Sequence, residues 1–321
     1  MGHLSTRLRR APSFVIAPAL AASLLALPTV DTAPTPTPVE PELATVDLDG
    51  VESASAASAD MPDEIPDEVH DDQAEDGEDA GHDDHADDLE VAATTEPTDT
   101  DPYRLVAVTW DDPDVQVDEL EAWIRYRSDD GWSDWYPLPS SDGHAPDPGS
   151  IEEAEQRDGT EPLVVPESDG VQVRVDTEDG DEVDDLRVDL IDPGVSPADA
   201  TAGSTAPSSA EAANQPRIYT RSDWGADERL RGSTVQYGQI QAGFVHHTVN
   251  TNDYRPEDVP AIIRGIYAFH VKSRGYRDVG YNFLIDKWGR IWEGRYGGID
   301  KPVTGAHTYG HNDDAFAAST I

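Results

Sequence analysis

Between Tyr103 and Gly194 apolar and polar residues alternate with a period of two. Leu105, Ala107 and Thr109 oppose Val106, Val108 and Trp110. Ala122, Ile124 and Tyr126 oppose Trp123, Arg125 and Arg127. Val171 to Val175 and Leu186 to Leu190 repeat the pattern, and side chains two apart on a strand share one face. Turns at Asp129-Asp130-Gly131 and Glu178-Asp179-Gly180 separate these runs. About six short strands with little helical periodicity predict a small β-sandwich over 102–195. Trp110, Trp123, Trp132 and Trp135 are assigned to its core rather than to stacking on sugars.

The period changes after Arg217. Ala242-Gly243-Phe244-Val245 reads as a short strand running into His246-His247-Thr248. Val259, Ile262, Ile263 and Ile266 then recur at helical spacing behind Pro256, whose missing amide is harmless near a helix start. His270 and Arg274 lie one turn apart near the helix end. Gly280 to Ile285 and Arg290 to Glu293 flank Asp286-Lys287-Trp288-Gly289 as a hairpin. At the other end of the chain, Arg7, Arg9 and Arg10 precede an apolar run from Ala11 to Val30, the pattern of a cleaved export signal over 1–33.

Charge redraws this map. The 321 residues carry 66 acids against 22 bases, a formal charge of −44, which excludes a general nucleic-acid binder. Lys and Arg are absent from Ala11 to Tyr103, and Pro, Thr, Asp and Glu fill 34–101, which is expected to be disordered. Within it, Gly81-His82-Asp83-Asp84-His85 reads as solvated polyanion rather than a cation site. An Ala/Ser/Thr/Pro-rich linker is expected over 196–216, leaving 217–321 as the second domain. There are no cysteines, hence no disulfides and no thiolate metal sites.

Candidate chemistry concentrates in 217–321. His246 and His247 stand at a strand end, His270 on a helix and His307 after a loop, with Tyr281 on a strand. Converging imidazoles are consistent with a zinc site, which needs about three protein ligands plus water to hydrolyse a bond. No HExxH is present, so a thermolysin-type site is excluded.

Five segments in order, Arg221-Ser222-Asp223-Trp224-Gly225-Ala226, Phe244-Val245-His246-His247-Thr248, Asp278 to Ile285, Gly294-Arg295 and Gly305-Ala306-His307-Thr308, resemble the peptidoglycan recognition protein family. Its relatives include the phage-lysozyme-type zinc N-acetylmuramoyl-L-alanine amidases. The resemblance covers the last third of the chain. It implies an α/β fold for 217–321, a mixed central sheet flanked by helices with a groove across one face. It implies His246 as a zinc ligand, Tyr281 as the catalytic tyrosine, and His270, Arg274, Tyr281 and His307 as muropeptide contacts.

The implied reaction is hydrolysis of the amide between N-acetylmuramic acid and L-alanine, with Zn2+ as cofactor and peptidoglycan as substrate. The expected protein is monomeric, secreted to the cell wall, and free of a membrane anchor once its signal is cleaved. Two departures from the family pattern stand out. Gly294-Arg295-Tyr296-Gly297 replaces Gly-Arg-Gly-Trp, which leaves stem specificity open. The other zinc donors, a second His and a Cys or Asp, belong to a segment expected beyond Ile321. A non-catalytic wall-binding protein using the same groove is the rival reading.

Overall fold

Nine strands build the first sheet: β1 (Glu42–Asp47), β2 (Leu89–Thr94), β3 (Thr98–Trp110), β4 (Leu120–Ser128), β5 (Gly131–Trp132), β6 (Tyr136–Leu138), β7 (Asp158–Gly159), β8 (Leu163–Glu178) and β9 (Arg187–Asp192). They run β1-β9-β3-β8-β4-β5, with β2 on β8, β6 on β4 and β7 on β3, and every pairing is antiparallel. This computed structural model describes residues 34–48, 89–112, 115, 120–141, 143–178, 180–202, 216–249 and 252–321. Pro34–Ile321 forms one compact unit. The apolar run 11–30 and the Gly81–His85 cluster lie outside the described residues.

The alternation places Val106, Val108, Trp110, Ile124, Val171, Val173, Val175 and Val188 in one buried core. Leu105 and Ala107, on the opposite face of β3, belong to a second core with Ile191 and the helix described below. A strand covered on both faces keeps few polar positions, and Leu105 to Trp110 accordingly reads as a nearly unbroken apolar run. Trp110 is fully buried. Trp123 and Trp135 are also buried, Trp132 is half-buried, and Trp132 and Trp135 flank the Arg125 guanidinium, each at 5.3 Å.

Structure extends into the acidic stretch expected to be disordered. β1 pairs with β9 from Glu42↔Asp192 to Asp47↔Arg187, and β2 pairs with β8. Residues 49–88 of that stretch lie outside the described residues. Strand pairing uses backbone groups, and outward-facing carboxylates remain in water. A high acid content therefore does not bar a strand whose Leu43 and Val46 pack inward. At the expected linker, Asp199–Thr201 forms a 3-10 turn, while 203–215 lie outside the described residues.

The second sheet has five strands, β10 (Ile218–Tyr219), β11 (Ala242–His247), β12 (Phe283–Ile285), β13 (Ile291–Glu293) and β14 (Ala315–Thr320), in the order β10-β13-β12-β14-β11. β12 and β13 are the expected antiparallel hairpin, and the other pairings are parallel. The one α-helix among the described residues, α1 (Val259–Ala268), runs on through a π turn at Phe269–Ser273.

The expected helix-flanked α/β fold is therefore not what forms. The described chain is mostly β-sheet with one α-helix. The physical reason is what covers α1. All ten of its residues are buried, because β3 and β9 of the first sheet pack on the side that a flanking helix layer would leave to solvent. Val245 on β11 is 80% exposed and Phe316 on β14 is 39% exposed, so the far face of the second sheet carries no helix among the described residues.

Candidate functional site

His246 stands at the end of β11, which lies beside β14 in parallel register. The loop after Gly305 brings His307 and Thr308 to it. Asn312 Oδ1 accepts from the backbone N–H of His307 (2.6 Å) and Thr308 (3.0 Å), which fixes the loop. His270, on the π turn, accepts from Gly280 N–H through Nδ1 at 3.2 Å. Tyr281 follows directly, so the loop into β12 places both partners. Tyr281 lies 5.7 Å from His246 and 5.5 Å from His270 between ring centroids, and His246 lies 5.8 Å from His307. Four of the five expected site residues thus share one cluster, at the place where the resemblance expects a cleft. Arg274 stands at the edge of that group; its Nε donates to Arg157 O at 2.7 Å and its guanidinium lies over Tyr276, whose ring stacks on His270.

Sequence reasoning missed His144 and Glu161, which reach the cleft from the first sheet's connections. His144 Nε2 is 2.9 Å from His246 Nδ1, and His144 Nδ1 is 2.8 Å from Glu161 Oε1. Glu161 Oε1 also accepts from Ser141 Oγ at 2.7 Å. These residues stand roughly a hundred positions before His246, and no local spacing connects them.

The hydrogen bonds assign the protons. With Glu161 ionised, His144 Nδ1–H donates to it and His144 Nε2 accepts from His246 Nδ1–H. His246 Nε2 then accepts from Thr308 Oγ1–H (3.2 Å), and Thr308 Oγ1 accepts from His307 Nδ1–H (3.0 Å). The chain ends at His307 Nε2, which is buried and has no hydrogen-bond partner.

This arrangement needs neutral imidazoles, and the environment favours them. Burial, the largest cause, takes His246 down to about 4. Burial is also the main cause for His270 and His307, each taken down to about 3. Burial, then the Glu161 carboxylate, holds the Tyr281 phenol well above its usual value of 10, so its hydroxyl stays protonated. Glu161 is buried, which opposes its charge, but the hydrogen bonds from His144 and Ser141 outweigh that and keep its carboxyl below the usual range.

Both ring nitrogens of His246 are engaged by protein groups, and among the described residues no three His, Cys, Asp or Glu side chains are placed to hold a metal ion. The described residues therefore do not assemble the donor set that a hydrolytic zinc requires.

The last third of the chain is homologous to peptidoglycan recognition proteins. Human peptidoglycan recognition protein 3 is 32% identical over 108 residues, 33% of this chain and 29% of that protein. Peptidoglycan-recognition protein SA of Drosophila melanogaster is 34% identical over 100 residues, 31% of this chain and 47% of that protein. The chain thus spans less than half the length of either relative. The X-ray structure of bumblebee PGRP-SA aligns over 33% of this chain and 61% of its own at 31% identity, with a TM-score of 0.30. Ahead of that region, residues 55–216 match the family model described as Rv3811 N-terminal galactose-binding domain-like. That match takes in just over half of the chain, which therefore belongs to this family.

Proposed function

We propose that this chain acts on peptidoglycan at the cell wall, outside the cell, and that its cleft binds the stem peptide. The finer reading is hydrolysis of the amide joining N-acetylmuramic acid to L-alanine, with zinc held in part by His246. The observation that carries the proposal is the meeting of the half-buried His246 with the buried Tyr281, His270 and His307, drawn from four separate segments, in one cluster. The homology supports a peptidoglycan ligand. No helix among the described residues is long and apolar enough to cross a membrane.

Since the described residues do not complete a zinc site, no step is routed through the metal. What this chain supplies is a phenol kept protonated by burial, able to donate to an oxygen on which negative charge develops. Tyr281→Phe is expected to lower release of free stem peptide from purified peptidoglycan by about 10²–10³-fold while leaving binding nearly unchanged. An unchanged rate assigns Tyr281 to packing.

A non-catalytic binder is the second reading, and the engagement of both His246 nitrogens favours it. Retention on peptidoglycan without any peptide release, in zinc-supplemented buffer, would select it. Neither retention nor release would overturn both readings.

A further inference from the structure

The positions expected to meet a muropeptide are closed off by the chain itself. His307 is fully buried, and Arg274, Tyr281 and His270 are 2%, 2% and 7% exposed. The covering segment is Gly143–Arg157, between β6 and β7 of the first sheet. It lies along the cleft and is bonded at four places. At its start, Gly143 O accepts from Tyr309 N–H at 2.8 Å, and His144 O accepts from the Tyr276 hydroxyl at 2.6 Å. Next, Asn312 Nδ2 donates to Ala145 O (2.8 Å) and to Asp147 Oδ1 (2.7 Å). Further on, the Glu152 carboxylate forms an ion pair with Arg295, both side chains being less than a tenth exposed. At its end, Arg157 and Arg274 bond reciprocally, N–H to O at 3.1 Å and Nε to O at 2.7 Å.

We propose that Gly143–Arg157 is an autoinhibitory strap that occupies the peptidoglycan cleft and must leave before a stem peptide can enter. The inference rests on the proposed function of that cleft. Two features separate a strap from ordinary domain packing. First, its groups meet the cleft's hydrogen-bonding and charged groups with the chemistry of a peptide ligand: backbone carbonyls on Tyr276, Asn312 and Arg274, and a carboxylate on Arg295. Second, the cleft keeps unused buried polar atoms beneath it. Arg295 Nη1 and His307 Nε2 have no partner, although the segment pairs with Arg295 through Glu152 and bonds Asn312, which holds the His307 amide. A buried donor or acceptor left unpaired opposes closure, and a ligand that satisfies both would compete well against the strap.

Gly275 marks how closely the strap sits. Its φ is +74°, and a side chain there would run into the carbonyl of Glu155.

A strap that holds most molecules closed lowers apparent affinity by the fraction open. The 321-residue chain with His144→Ala and Glu152→Gln together, which remove the His144 contacts and hydrogen bonds to the cleft and the ion pair, is therefore expected to bind soluble muropeptides at least about tenfold more tightly than the unmodified chain. Equal, measurable affinity for both forms would overturn the strap and leave the peptidoglycan reading standing. No binding by either form would overturn that reading and the strap with it.

A second measurement needs no substitution. Saturating the unmodified chain with muropeptide should release the amides of Arg157 and Tyr309, which are bonded across the contact, and speed their hydrogen exchange. Muropeptide bound with those amides as protected as before would overturn the strap even if the double variant fails to fold.

Discussion

Replacing Arg264 by alanine is expected to destabilise the chain by roughly 3–5 kcal/mol, the usual cost of stripping one partner from a buried ion pair. Arg264 is fully buried in the middle of α1. Its guanidinium donates to Pro193 O (3.0 Å), Gly194 O (2.8 Å) and Trp224 O (2.9 Å), and to both carboxylate oxygens of Asp199 at 3.0 and 2.7 Å. The three carbonyls lie beyond β9 and ahead of β11, so one side chain ties the helix to segments on either side of 203–215. Alanine would orphan two buried carbonyls, the half-buried Gly194 carbonyl and a carboxylate only 14% exposed. Urea unfolding of Arg264→Ala should show a lower midpoint at unchanged slope. A loss under about 1 kcal/mol would mean that water replaces the guanidinium, as at an exposed ion pair.

Arg264 also shows where the sequence stops being readable. The spacing of Val259, Ile262, Ile263 and Ile266 locates α1 but describes a helix with one buried stripe. A helix buried all round, arginine included, needs a second covering surface, and nothing near residue 264 names β3 and β9 as that surface. The expectation of flanking helices failed on this long-range packing. β1 failed to register for a related reason. Its composition is acidic, whereas its pairing with β9 uses backbone groups and a few inward aliphatics.

The cleft divides along the same line. His246, His270, Tyr281 and His307 sit in or beside short motifs whose local geometry carries them: a strand end, a helix end, a loop tied by Asn312. They were legible, and the structure groups them. Arg274 sits one turn from His270, so spacing places it near the cleft. Spacing says nothing of Arg157, whose carbonyl takes the Arg274 Nε–H and holds that side chain at the edge of the group. His144 and Glu161 carry no motif and arrive from another sheet. Their role depends on tertiary contacts that alternation cannot encode.

Acid should weaken the fold well before the carboxylates with lowered pKa begin to protonate. His270 and His307 are buried neutral and titrate near 3 in the folded chain, against about 6.5 when unfolded. As pH falls below 6.5 the unfolded chain takes up protons that the folded chain refuses, so stability drops across the window from 6.5 towards 3. Between pH 7.5 and 5 each of these imidazoles costs about 2 kcal/mol, or about 4 kcal/mol for the pair. Glu152 and Asp189 act with the opposite sign. Burial raises both in the folded chain, and they stabilise it as they protonate. The histidine contribution is therefore read as a difference. His270→Gln keeps a polar side chain in place of the imidazole that accepts from Gly280 N–H, and it removes the titrating ring. Unfolding free energies of the chain and of His270→Gln, measured by urea at pH 7.5 and pH 5, should differ in their pH drop by about 2 kcal/mol, the unmodified chain losing more. Equal drops would show that His270 takes up its proton in the folded state, with the cleft open to water at that ring.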